Sequence, residues 1–211
     1  MTAREEMLGR IREALGRSRE EPCATPPPPR LVIPQMTEEE RLERFALALE
    51  ALSGKAYQAA SAADARRSVQ ALIAGKRAVA SNSPFLAECG ITGLPGVETG
   101  YTDEAALREA CQAAEAGITG ADYALADTGS LVLLSSPREA RMISLLPPVH
   151  VAVVPRARML TGLDELFAVL PDPSAISSSM VIITGPSRTA DIEQILVRGV
   201  HGPREVHVVL V

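Results

Sequence analysis

From Thr37 onward, short runs of β-branched residues alternate with stripes of apolar residues spaced three to four apart, a pattern of strands followed by helices. Thr37 and Glu40 form a capping box for a helix that runs to about Leu52. Residues 56–59 then read as a short strand, 62–74 as a helix, 77–81 as a strand and 84–89 as a helical turn. Residues 103–116 are helical in pattern, with Thr102 as the cap. Residues 121–126 and 131–135 are two strands joined by Asp127-Thr128-Gly129-Ser130, a composition suited to a tight turn. Residues 139–146 predict a short helix stopped by Pro147-Pro148. A buried strand at 149–155 and a helix at 163–169 follow. Residues 180–183 form another apolar strand, with a helix opening at Ser187 that carries Ile192, Ile195, Leu196 and Val200 on one face. Residues 205–211 are a last strand. This βα order predicts an α/β fold: a mostly parallel sheet with helices on both faces.

Ahead of this domain, residues 1–17 place Ala3, Met7, Ile11, Ala14 and Leu15 on one helical face. Residues 20–34 include four consecutive prolines at 26–29, which enforce an extended linker. The expected division is therefore a helical arm with its Pro-rich linker at 1–36, and an α/β domain at 37–211. A lone helix of this length is marginal in water. The arm should therefore pack on its own domain or on another subunit, and a partner contact, including a homo-oligomer, is the preferred expectation.

Composition narrows the function. Aromatic residues are 3% of the chain while hydrophobic residues are 46%, so the core must be aliphatic and stacking platforms for nucleic acid are missing. The net charge is −5 with no block of like charge, so no nucleic-acid partner is expected. No apolar run reaches the ~18–20 residues of a membrane span, and the charged first segment does not resemble a signal peptide. A cytoplasmic protein is expected. Cys23, Cys89 and Cys111 are widely spaced and form no Cys-x-x-Cys, and the three histidines lack ligand spacing. No metal site or iron–sulfur cluster is expected within this chain. Rossmann, Walker A and Gly-x-Ser-x-Gly patterns are all absent.

Two stretches remain as candidate chemistry. In the first, Gly185, Ser187, Arg188 and Thr189 lie between the strand at 180–183 and the helix expected from Ser187. That arrangement offers backbone N–H groups, hydroxyls and a guanidinium to a carboxylate or phosphate. Asp191 would orient Arg188. The plain alternative is a capped helix with Arg188 paired to a surface acid. The second stretch is the Gly117–Gly120 segment taken with Thr128, Gly129 and Ser130, where glycines allow close approach and hydroxyls offer hydrogen bonds. Its plain alternative is a hairpin turn. His201, between Gly199 and Gly202-Pro203, is the candidate acid or base, or else a helix C-terminal cap.

Taken in order, the segments GITGA (117–121), DTGSL (127–131), SLLPPVH (144–150), GPSRTADIE (185–193) and GVHGP (199–203) closely resemble the LUD-domain family, over about 37–211 and in its lactate-utilisation C-type branch. The resemblance implies a fold similar to that of the sugar-phosphate isomerases and CoA-transferases. It also implies a place in an iron–sulfur-dependent system that oxidises L-lactate to pyruvate. The clusters would sit on partner proteins, leaving this chain to bind a small organic anion without a redox centre of its own. An assembly subunit with a vestigial site, and a stand-alone isomerase-like or CoA-transferase-like enzyme, remain open beside that reading.

Overall fold

A computed structural model describes residues 2–16, 32–189, 197–199 and 201–211. The chain divides into two units, Met1–Arg30 and Leu31–Val211. In the first, helix α1 (Ala3–Ala14) is held by a full capping box between Thr2 and Glu5. Its Met7 and Ile11 are exposed.

In the second unit, α2 (Glu38–Ala51) starts at the capping box of Thr37 and Glu40, and buries Leu42, Phe45 and Leu49. Strand β1 (Lys55–Gln58), helix α3 (Ala62–Leu72) and strand β2 (Ala78–Ala80) follow. Next come α4 (Pro84–Glu88), β3 (Val97–Glu98) and α5 (Glu104–Ala113). Asp103, not Thr102, caps α5, its carboxylate accepting from the Ala106 N–H. The chain continues through β4 (Ala116–Gly120), β5 (Tyr123–Leu125), β6 (Ser130–Leu134), α6 (Arg141–Leu145) and β7 (Val149–Val154). Beyond these lie β8 (Met159–Leu160), α7 (Leu163–Val169), β9 (Met180–Ile183), β10 (Arg188–Thr189), β11 (Val197–Arg198) and β12 (Glu205–Leu210).

Six strands form one sheet in the order β1-β12-β7-β4-β2-β3, every pair parallel. Helices α3 and α4 cover one face, packing Ala65, Val69 and Leu86 against Ile118, Val151 and Val153. On the other face lie α2 with Phe45 and Leu49, and α5 and α6 with Leu107 and Ile143. The expected mixed α/β architecture is therefore present. A second sheet, β8-β5-β6-β9, also packs on that face through Ala124, Leu131 and Leu133, while α7 covers its outer side with Leu166. Strand β9 belongs to this smaller sheet, antiparallel to β6, and is only half buried. Residues 117–120, expected to be a loop, lie in the fully buried strand β4. Gly117 makes this placement workable, because any Cβ there would collide with the Ile143 carbonyl.

The helix expected from Ser187 does not open there, and its apolar positions Ile192, Ile195, Leu196 and Val200 lie outside the described residues. Arg188–Thr189 is extended and pairs antiparallel with Val197–Arg198, between glycines at positive φ, Gly185 at 79° and Gly199 at 76°. Among the described residues, no helix is long and apolar enough to cross a membrane.

Candidate functional site

A parallel sheet offers a ligand the crevice where consecutive connections leave in opposite directions. Here that point lies between β2 and β4, since β2 leads on to β3 at one edge and β4 leads back toward β7. A cavity of about 370 Å³ opens there. Its walls come from Ser83 after β2, from Gly120 and Asp122 at the end of β4, from Arg158 after β7, and from Arg138 and Glu139 in the loop before α6.

Glu139 is held from two sides. Its backbone N–H donates to the Ser136 carbonyl and to Ser136 Oγ, both at 3.1 Å, which fixes the turn. Its Oε1 accepts the Gly120 N–H at 3.1 Å. A Cβ at position 120 would lie 2.8 Å from that oxygen and 3.0 Å from Ser83 Oγ, and would push those side-chain ends aside. Oε2 is buried without a hydrogen bond of normal geometry, as is the Ser81 hydroxyl. Burial pushes the Glu139 carboxyl up to about 7. The Ser81 hydroxyl, the Gly120 N–H and the Ser83 hydroxyl oppose that rise, and the nearby charge of Asp122 adds to it. Asp122 is also pushed up by burial, against the Leu134 N–H that its Oδ2 accepts at 2.6 Å and against Arg158. Arg158 rests over the Tyr123 ring, 5.5 Å from its centroid. Two guanidinium groups and two carboxyls thus share one concave site that can hold an anion and a mobile proton.

The stretches singled out by sequence meet elsewhere. Ser130 Oγ bonds Thr128 Oγ1 at 2.7 Å and Thr184 Oγ1 at 2.9 Å, so the β6–β9 pairing does bring the two loops side by side. Ser130 is buried. Gly129, with φ at 64°, and Gly185 both press against the last turn of α2, where a Cβ would strike Leu49 and Leu52 respectively. The Arg188 guanidinium donates to the Leu52 carbonyl and, at 3.2 Å, to Ser53 Oγ, closing the C-terminal end of α2. Ser187 bonds through its backbone to Pro203 and Gly199. Together with Gly185 it lines a groove of about 660 Å³, whose other walls include Leu145, Leu146, Ile182 and Arg141. Thr189 takes part in the β10–β11 pair. His201 is exposed, in the segment between β11 and β12. Asp191 lies outside the described residues.

Glu139, Asp122, Arg138 and Arg158 were not singled out by sequence. Glu139 stands where the apolar stripe of a helix begins, and an acid there is ordinary. Only the convergence of three strand ends sets it apart. Among the described residues, no cluster of three or more His, Cys, Asp or Glu side chains could hold a metal ion. Cys89 and Cys111 are free thiols in the core.

The family model of the LUD domain matches residues 42–211. The chain belongs to the LUD-domain family. Among relatives of this LUD domain, Lactate utilization protein C of an Exiguobacterium species is 33% identical over 225 residues, covering 100% of this chain and 96% of the relative. The protein of the same name from Halalkalibacterium halodurans is 39% identical over 107 residues, covering 49% of this chain and 46% of its own. The match thus spans less than half of one relative and nearly all of the other. In structure, a DUF162 family protein from Deinococcus radiodurans superposes with a TM-score of 0.65 at 18% identity, over 83% of this chain and 99% of that one. That likeness speaks for the fold.

Proposed function

We propose that this LUD domain serves lactate utilisation by binding a small organic carboxylate in the cavity between the ends of β2, β4 and β7. The observation that carries the reading is the largely buried Glu139, set beside Gly120 at the point where the sheet connections diverge. Arg138 and Arg158 on the cavity wall supply charge for the ligand carboxylate, and two relatives bear the name Lactate utilization protein C. Electron transfer falls to iron–sulfur partner proteins, while this chain presents or holds the organic anion. A second reading keeps Gly185 and Ser187 as the anion site, because both line the larger groove beside Arg141.

A thermal-shift titration with L-lactate, pyruvate, phosphate, sugar phosphates and CoA esters tests both. A ligand that binds only the folded chain raises the melting temperature by mass action. The expected result is a shift with L-lactate or pyruvate that weakens at least ~10-fold in concentration dependence in Arg158→Ala or Arg138→Ala. A shift insensitive to those two changes but lost in Arg141→Ala moves the site to the groove. No shift with any anion leaves an assembly role for the subunit.

A further inference from the structure

Resting on the reading of the β2–β4–β7 cavity as an anion site, we infer that it takes up a proton on Glu139 whenever it takes up its anion. The charges facing Glu139 can be followed element by element. After β4 stands Asp122, after β7 stands Arg158, and Arg138 is its neighbour in the same loop. The β2 side offers the Ser81 and Ser83 hydroxyls, and the start of α4 offers Pro84 and Phe85, none of them charged. With both carboxyls ionised the four charged groups cancel, and the cavity has no net attraction for an anion. With Glu139 neutral the site carries one positive charge.

The hydrogen bonding says where the proton goes. Oε1 already accepts the Gly120 N–H, whereas Oε2 and the Ser81 hydroxyl are both buried and lack a bond of normal geometry. The Ser81 hydroxyl can donate to an ionised Oε2 or accept from a protonated one, so Oε2 is the oxygen free to carry the proton, and it is burial and the Asp122 charge that favour the neutral form. A ligand carboxylate brought into the cavity adds a like charge beside Glu139 and favours that form further. Burial already leaves the Glu139 carboxyl balanced between its two states near neutral pH, so the added anion can draw a measurable fraction of a proton. By reciprocity, whatever favours the proton favours the anion. Glu139 acts here as a positioning and charge-setting group; its Oε2 is enclosed and is not assigned a ligand contact.

Calorimetric titration of the full chain with L-lactate and with pyruvate decides the matter. Both probes remain anions from pH 6 to 9, so any proton exchanged belongs to the protein. Repeating the titration at pH 7.5 in buffers of different ionisation enthalpy should give a net proton uptake per anion bound. Affinity should fall about tenfold between pH 6 and pH 9. Glu139→Gln should still bind, with no proton uptake and a flat pH profile. Binding by the wild type with no proton exchanged and no pH dependence overturns the inference while leaving the anion site standing. Undiminished binding by Arg138→Ala and Arg158→Ala, or no binding at all, removes the site and the linkage with it. Should Glu139→Gln not fold, the wild-type buffer series alone gives the answer.

Discussion

Gly117 and Gly120 are three residues apart on one strand and serve different ends. Gly117 lets α6 lie against the sheet, because the Ile143 carbonyl occupies the space where a Cβ would stand. A backbone atom cannot rotate away, so Gly117→Ala should cost about 3 kcal/mol of stability by overpacking. Gly120 instead faces the ends of two side chains, Glu139 and Ser83, which can shift. Gly120→Ala should melt within a few degrees of the wild type but displace the Glu139 carboxyl from its bond to the N–H at position 120, and so change the pH dependence of anion binding. Denaturant melts and ligand titrations on the two variants separate the effects. Equal melting temperatures would show that the strand has more room at 117 than its neighbours suggest.

Elements with local signals were legible, and those defined by distant neighbours were not. Thr37 and Glu40 announce α2, and both halves of their capping box are formed. Thr37→Ala should lower stability by about 1 kcal/mol, as read from chemical denaturation. At the other end of the helix, Arg188 closes on Leu52 and Ser53. Because Arg188 is exposed, Arg188→Ala should cost under about 1 kcal/mol. If it lowers anion affinity as well, the loop at 185–189 takes part in binding after all. Strand β4 escaped notice because Ala116-Gly117-Ile118-Thr119-Gly120 has the glycine content of a loop, and its burial comes from neighbours on both sides and both faces. The stretch after Ser187 has helical spacing, yet Arg188 and Thr189 pair with Val197 and Arg198. The candidate site followed the same rule. The turn composition marks Thr128–Ser130 but not its meeting with Thr184, which the β6–β9 pairing creates, and Glu139 becomes distinctive only when the ends of β2, β4 and β7 converge on it.

Over the whole molecule, two buried groups set opposing responses to pH. Glu139 is raised to about 7 in the fold, so its contribution is present in full below pH 4.5 and is lost as pH rises through 7. His150, bonded to Thr119 Oγ1 at 2.9 Å, is lowered to about 4, by burial first and then by His207. Its contribution is present above pH 6.5 and is lost as pH falls through 4. Each effect is on the order of 3 kcal/mol, and between about pH 5 and 6.5 the two slopes oppose each other. Glu139→Gln should therefore match the wild type near pH 5 and become the more stable protein by pH 8, in urea melts at each pH. A difference that does not grow with pH would mean that Glu139 is not held neutral by the fold. The order of strands also governs how the chain reaches this state. Strand β1 has β12 as its sheet neighbour, and Tyr57 and His207, which bond across that pair, are 150 residues apart in sequence. On the ribosome, the sheet cannot close at β1 until β12 has emerged, and the parts of α2 and α3 that pack on β12 stay uncovered until then. The wait makes folding slow and exposes the nascent chain to chaperones.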